Sequence, residues 1–300
     1  MFRRLAIPIT ALMFAAGAGA QSLEPRFYSN APVGMNFALG GYVFSTGAVA
    51  ADSSLEFENG DIDIHAPFIA YARSMGLWGK SAKFDVVVPY SSLSGSATVG
   101  GEYKTRDIDG FADPQFRFSV NFIGAPALTM AEFKDYRQNF VMGASLKVSA
   151  PMGQYDSSRA VNIGTHRWSF TPEIGLSKTV GPLVLELAGA VALYTDNDDF
   201  LGQKKEQDPI YSAQAHIVYT FRSGIWAALD GTRYAGGRTT VNGVENSDLQ
   251  NNTRFGATLA FPVNLRNSIK CYASTGVSTR TGSDFDTIGI AWQYRWGGGL

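Results

Sequence analysis

Charged side chains recur at alternate positions of strand-like runs, where they could line a polar passage. The face that we expect to point inward carries the basic residues Lys83, Arg117, Lys147, Arg254, Lys270 and Arg295, the acidic residues Asp85, Glu173, Glu186 and Asp230, and also His216 and Tyr272. Two roles are open for these charges. They could pair with one another and hold a wall together, or they could form a polar constriction that selects solutes. Tyr272 could stack on a flat solute.

Hydrolysis would require a serine beside a histidine, and the chain has three histidines, His65, His166 and His216. Ser212 and His216 share one face of one run, but residues four apart on a strand are roughly 13 Å apart. The two side chains therefore cannot touch, and a hydrolase would need a serine from a neighbouring strand. We predict no catalytic residues and keep an enzyme as an alternative.

One loop carries several side chains that could bind or order a ligand. We predict that it folds over the mouth of the structure and that its key residues are Tyr155, Asp156, Asn162, His166 and Arg167. The acidic run 196–199 could bind Ca²⁺ through oxygen atoms, but it lacks the fixed spacing of an EF-hand. A single cysteine cannot build a zinc site. We therefore predict neither a metal nor a cofactor.

Strands must position these residues, because the dominant pattern has a period of two. In Gln115–Phe122, phenylalanines and a valine alternate with Gln115, Arg117, Ser119 and Asn121. Thr287–Trp296 places Ile288, Ile290, Trp292, Tyr294 and Trp296 on one face. About twelve such runs follow one another, each about as long as a tilted strand that crosses a bilayer. The runs before residue 80 have the weakest pattern.

The connections alternate between long and short, which is typical of outer-membrane barrels. We predict a transmembrane antiparallel β-barrel of about twelve strands, all-β in class, and a soluble secreted β-fold is the alternative. One connection that should be short is long and contains Thr129-Met130-Ala131-Glu132, the spacing of a capping box. It predicts a short periplasmic helix near 129–137, which would either cap the barrel or enter it as a plug.

The N-terminal residues indicate export. Residues 1–20 combine Arg3 and Arg4 with a short apolar run and Ala18-Gly19-Ala20, which predicts a signal peptide. Residues 21–33 read as a periplasmic lead-in, and residues 34–300 as the barrel. Removing the signal leaves 23 basic and 26 acidic residues, so nothing favours nucleic-acid binding. Cys271 is the only cysteine, so no internal disulfide can form.

Several strings are similar to a known family. They are Gly124-Ala125-Pro126-Ala127-Leu128, Pro151-Met152-Gly153-Gln154-Tyr155-Asp156, the stretch 162–168, Pro172-Glu173-Ile174-Gly175 and Trp292-Gln293-Tyr294-Arg295-Trp296. Together they resemble the outer-membrane family named after the meta-pathway of phenol degradation, over most of the mature chain.

The resemblance implies a barrel in the outer membrane of a Gram-negative cell that passes small hydrophobic or aromatic compounds passively. The implied partners are outer-membrane lipid, the small solute and the assembly machinery. A structural or surface-binding barrel with a sealed lumen is the alternative. Outer-membrane barrels commonly end on an aromatic residue, whereas here Gly297-Gly298-Gly299-Leu300 follows Trp296. The resemblance brings no catalytic residues with it.

Overall fold

Antiparallel strands make up most of the protein. The computed structural model describes residues 24–49, 58–99, 102–278 and 283–300. The predicted signal peptide and residues 21–23 lie outside the described residues. The strands are β1 (Met35–Val49), β2 (Glu58–Leu77), β3 (Lys80–Val99), β4 (Glu102–Phe111), β5 (Gln115–Ile123), β6 (Phe140–Ser149), β7 (Ser169–Val180), β8 (Leu183–Tyr194), β9 (Asn197–Phe200), β10 (Gln203–Gln207), β11 (Ile210–Thr220), β12 (Trp226–Gly236), β13 (Thr239–Val241), β14 (Val244–Glu245), β15 (Gln250–Pro262), β16 (Asn267–Ser278) and β17 (Ser283–Gly297).

The main sheet closes on itself. β1 pairs with β2 on one side and with β17 on the other, from Met35↔Gly297 to Val49↔Ser283. β2 pairs with β3, whose lower half pairs with β5 and whose upper half pairs with β4. β4 and β5 thus share one place in the wall, and the described strands form a ring of twelve. The predicted twelve-stranded antiparallel barrel is confirmed.

Alternation along the strands separates an inner from an outer face. In β5, Arg117 is 5% exposed whereas Phe118 is 40% exposed. In β17, Ile288, Ile290 and Trp292 are exposed outward while Gln293 and Arg295 are buried. An apolar outer face with a polar inner face suits a barrel surrounded by lipid, because lipid cannot hydrogen-bond.

β1 and β2 have a weak pattern because both of their faces carry apolar residues. Phe37, Leu39 and Val43 point into the barrel, whereas Tyr42 points outward. In β2 the inward residues include Ile64 and Phe68. A strand that is apolar on both faces cannot show the alternation that identifies a half-polar strand.

The two ends of the barrel differ. At the short-turn end, β2 and β3 are joined by Trp78 and Gly79, both with positive φ, as a type I′ two-residue hairpin requires. At the long-loop end, β9, β10, β13 and β14 form a separate four-stranded sheet. The sequence treats 95–112 as a loop, but β3 and β4 continue through most of it. Strands that rise above the lipid meet water on their outer face, so their apolar alternation disappears.

The predicted helix exists but is shorter than 129–137. α1 spans Met130–Phe133, and Thr129 and Glu132 form the predicted capping box. Beyond its end, the Arg137 guanidinium donates to the carbonyls of Lys134 and Tyr136, and the Tyr136 hydroxyl donates to Gly124 O at 2.7 Å. These bonds stabilise a non-helical path. No helix in the described ranges is long and apolar enough to cross a membrane.

Candidate functional site

The candidate site is the barrel interior, where all twelve predicted inward residues lie on inward-facing positions. Nine are almost fully buried: Lys83, Asp85, Arg117, Glu186, His216, Asp230, Arg254, Lys270 and Arg295. Lys147, Glu173 and Tyr272 are partly buried. The wall brings several of them together, because the register places Arg117 opposite both Asp85 and Lys147.

Arg117 is the centre of the first charge cluster. Its Nε lies 3.3 Å from Asp85 Oδ1, and its Nη1 makes an ion pair with the Glu24 carboxylate. All three groups are buried. Removing one member of a buried ion pair leaves an uncompensated charge, so this cluster fixes the position of residue 24.

His216 and Asp230 form a second, separate cluster. His216 Nδ1 lies 2.7 Å from Asp230 Oδ1, and the Thr258 hydroxyl donates to Asp230 Oδ2 at 3.0 Å. The three residues belong to β11, β12 and β15, so the cluster joins three neighbouring strands. Ser212 pairs with Tyr234, four residues along β12 from Asp230. The pairing therefore gives His216 an acidic neighbour instead of a serine.

Arg254, Arg295 and Tyr272 have other partners. The Arg254 guanidinium donates to Phe285 O and to Ser274 Oγ, both at 3.0 Å. Arg295 lies at the short-turn end, where its Nε donates to Leu265 O at 2.6 Å. The Tyr272 ring covers Gly289, where a Cβ would overlap it.

The main feature that the sequence does not predict is an N-terminal segment, residues 24–34, inside the barrel. The sequence suggests only a periplasmic lead-in for 21–33. In the structure Glu24 and residues 27–32 are buried. A polar stretch with two prolines has no periodicity, so its sequence carries no signal of burial.

Hydrogen bonds attach the N-terminal segment to two separate parts of the wall. On one side the Lys83 ammonium donates to Phe27 O, and Asn121 Nδ2 donates to Tyr28 O at 3.1 Å. On the other side the backbone N–H of Arg26 donates to Glu186 Oε2 at 2.6 Å. The segment thus crosses part of the interior, from β3 to β8.

Tyr28 anchors the N-terminal segment to the wall. Its hydroxyl donates to Glu173 Oε1 at 2.9 Å. Its ring covers Gly143 in β6 and Gly175 in β7, and a Cβ at either glycine would overlap that ring. The glycines are needed because the ring approaches the backbone so closely.

A second unpredicted feature is an apolar strip on the inner face of β1, β2 and β3. Its residues are Phe37, Leu39, Val43, Ile62, Ile64, Ala66, Phe68, Ala70, Ala72, Val87 and Leu93. The ring of Phe27 and the ring of Tyr28 pack against one end of the strip. The interior is therefore divided into an apolar side and a polar, charged side.

The loop between β6 and β7 covers the apolar strip from the long-loop end. Val161 and Ile163 pack against it. Asp113, between β4 and β5, holds this loop: its carboxylate accepts from the N–H of Gly153 at 2.8 Å, and from the N–H and hydroxyl of Thr165 at 2.9 and 2.6 Å.

The predicted loop residues stabilise the conformation of the loop between β6 and β7. The rings of Tyr155 and His166 stack 4.6 Å apart. Asn162 accepts from the N–H of Asp156 at 2.8 Å. Hydrogen bonds from the hydroxyl and N–H of Ser158 lower the pKa of the Asp156 carboxyl. Arg167 donates to Gln207 in β10. These contacts order the loop, and the residues that anchor it, Asp113 and Thr165, were missed because they lie outside the regular strands.

Comparisons with known proteins agree with this geometry. The family model described as "Putative MetA-pathway of phenol degradation" matches residues 19–294. Among solved structures, an outer membrane channel from Pseudomonas putida F1 superposes with a TM-score of 0.78 at 20% identity, covering 92% of this chain and 100% of that chain. The beta domain of the Bordetella autotransporter BrkA gives a TM-score of 0.49 at 8% identity, covering 88% of this chain and 100% of that one. The transport unit of the autotransporter AIDA-I from Escherichia coli gives a TM-score of 0.48 at 7% identity, covering 87% of this chain and 90% of that one.

No curated protein matches the sequence. The family match covers most of the chain, and the channel superposition supports the same fold. The chain is an outer-membrane β-barrel and belongs to the family that the model describes as the MetA-pathway of phenol degradation.

Proposed function

We propose that the protein is a passive outer-membrane channel for small hydrophobic or aromatic molecules, and that it is not an enzyme. The observation that carries the proposal is the division of the interior. An apolar solute gains free energy wherever it leaves water for an apolar surface, and the strip on β1, β2 and β3 offers such a surface along the wall. The family description points to the same chemistry.

The polar side of the interior has a different role in this proposal. Twelve strands enclose a narrow lumen that side chains can largely fill. The clusters around Arg117 and His216 hold the wall and the N-terminal segment, and they disfavour charged or bulky solutes. The predicted lumen-lining and loop residues thus act as a selective frame around an apolar route.

A sealed structural barrel is the second candidate, because the buried N-terminal segment crosses the interior between β3 and β8. The two candidates differ in one measurable respect. A channel must let an apolar solute pass when the N-terminal segment moves or is bypassed. A sealed barrel passes nothing under any condition.

Isosteric substitutions test the proposal. Val43→Thr combined with Val87→Thr places two hydroxyl groups in the strip with little change of shape. Thr171→Val in β7 is the matched change on the polar side, since Thr171 is also buried. We expect uptake of an uncharged aromatic solute by expressing cells to fall for the strip variant and to persist for Thr171→Val.

Two outcomes would contradict the proposal. If cells with the unmodified protein take up no more solute than cells without it, the sealed barrel is favoured. If the strip variant transports normally while remaining folded, the strip is not the route. Planar-bilayer conductance, measured with and without a phenolic solute, also distinguishes a channel from a sealed barrel.

A further inference from the structure

We infer that the inner face of β11 and β12 holds a hydrogen-bonding subsite, formed by Gln214, Thr232 and Ser212, that takes one uncharged hydroxyl or carbonyl group of an aromatic solute. The inference rests on the proposed function and deepens it, because it names the residues that distinguish solutes of equal size and shape.

The three side chains lie together on the polar side of the interior. Gln214 and Thr232 are register partners on β11 and β12, and Ser212 is the next inward residue of β11 toward the long-loop end. They alternate with residues that are exposed on the outer face, such as Ala213 and Arg233. Because successive side chains of a strand point to opposite faces, all three polar groups point into the barrel.

Thr232 carries a buried hydroxyl without a partner. It is 2% exposed, and its Oγ1 forms no hydrogen bond with any residue of the described ranges. An unpaired buried polar group is costly, so such a group in a folded protein calls for an explanation. Gln214 and Ser212 are partly exposed to the interior. A solute oxygen bound between Gln214 and Thr232 supplies the missing partner.

The subsite suits an uncharged group. A hydroxyl and a carboxamide each offer a donor and an acceptor, which is what a solute hydroxyl needs. Two charged neighbours of the subsite have partners in the wall. Asp230 accepts from Thr258 and lies 2.7 Å from His216, and Arg254 donates to Phe285 O at 3.0 Å. The charged groups are thus engaged in the wall, and the three groups that face the solute are neutral.

Small side chains leave room beside the subsite. The β8 partners of Gln214 and Ser212 are Ala188 and Ala190, whose side chains are single methyl groups. Ala188 remains partly exposed although it points inward. A ring can therefore approach the polar groups from the side of β8.

The subsite faces the apolar strip across the lumen. In the ring of twelve, β11 and β2 are six places apart in either direction. The register from Gln214, extended by one pair at β16–β17 and at β3–β5, leads one way round to Ile62 and the other way to Gly76 of β2. Strand tilt places these two ends above and below Gln214 by equal amounts, so Gln214 faces the middle of the interval, where Phe68 and Ala70 of the strip lie. A ring on the strip can thus extend a polar group to the subsite.

A pair of isosteric substitutions tests the subsite. Thr232→Val removes the hydroxyl and keeps the shape of the side chain, and Gln214→Met removes the amide at similar length. The two solutes are 1-naphthol and 1-methylnaphthalene, which share their rings and differ by a hydroxyl in place of a methyl group. Uptake of each solute is measured in Gram-negative cells with and without the protein, and the protein-dependent part is compared.

We expect the double variant to lower protein-dependent uptake of 1-naphthol about tenfold, the effect of one or two lost hydrogen bonds, and to leave uptake of 1-methylnaphthalene unchanged. The matched control is Thr171→Val with Gln115→Met, which removes the same two groups from inward positions of β7 and β5. We expect this control to change the uptake of neither solute. Faster migration of the unheated protein in SDS gels verifies that each variant is folded.

Two outcomes contradict the subsite. An unchanged ratio of the two uptakes in the folded double variant would show that Gln214 and Thr232 do not read the hydroxyl. An equal loss of both solutes would show general damage to the route, because a lost hydrogen bond cannot affect a hydrocarbon that makes none.

Failure of the proposed function gives a different result. The unmodified protein then takes up neither solute above cells that lack it. Binding of 1-naphthol to the protein in lipid nanodiscs, measured against empty nanodiscs, in that case tests the subsite alone. Binding that the double variant loses supports the subsite, whereas no binding, or equal binding by both proteins, overturns it.

Discussion

Phe118 and Arg117 are adjacent residues in opposite environments. Phe118 is exposed on the outer face beside Phe84 and Leu146, and Arg117 is buried in an ion-pair cluster. We expect Phe118→Arg to lower the free energy of unfolding by about 2–4 kcal/mol, because it places a charge in the middle of the bilayer. Urea unfolding in lipid vesicles measures the change.

The control is Tyr103→Arg on β4, which is also exposed outward but lies farther toward the long-loop end than the paired rings of Tyr90 and Phe111. We expect Tyr103→Arg to lower the free energy of unfolding by only about 0–1 kcal/mol, as an arginine near a membrane interface does. Equal costs at 103 and 118 would contradict the position of the lipid belt. If the barrel tolerated an arginine at position 118 as well as the native Arg117, the assignment of inner and outer faces in β5 would be contradicted.

Asp113 is the anchor of the loop between β6 and β7. Asp113→Ala removes three hydrogen bonds to one buried carboxylate, and such charged bonds contribute about 1.5–3 kcal/mol each. We expect the loop to detach while the barrel stays folded, and trypsin to cleave faster after the exposed Arg159. Asp198→Ala, an exposed acidic residue, should leave cleavage unchanged. No acceleration in Asp113→Ala would show that other contacts hold the loop.

At the scale of elements, the N-terminal segment depends on glycines in β6 and β7. Gly175→Ala places a methyl group where the Tyr28 ring lies. We expect the N-terminal segment to lose its contact with the wall at Tyr28, and the single-channel conductance in planar bilayers to rise. Gly189→Ala on the outer face of β8 is the matched control, because its nearest neighbour is 3.9 Å away. A conductance unchanged by Gly175→Ala would indicate that the ionic contacts alone hold the segment.

At the scale of the whole molecule, the closed ring of strands is the source of stability. β1 and β17 pair along fifteen positions, so the described wall has no free edge between them. We expect the unheated protein to migrate faster than the boiled protein in SDS gels, with or without reductant, because Cys271 cannot form an internal disulfide. A shift that depended on reductant would contradict a barrel held by backbone pairing and lipid.

The sequence predicts the strands best where the two faces differ most. The prediction for β5 is correct to one residue, and β17 is correctly identified although it begins at Ser283 and not at Thr287, because apolar outward residues alternate with polar inward ones. The capping box at Thr129 and Glu132 was equally visible, since it depends on residues three apart, although α1 ends at Phe133 and not near 137. β1 and β2 were less clear, because the apolar strip makes their inner face as apolar as their outer face.

The sequence by itself determined the barrel class, the strand number and the inward charges, because these follow from a period of two and from loop spacing. Only the tertiary structure decided what fills the interior. The N-terminal segment, the Asp113 anchor and the apolar strip all depend on contacts between residues far apart in the chain, such as Glu24 and Arg117. Such contacts arise when the sheet closes, and no local pattern records them.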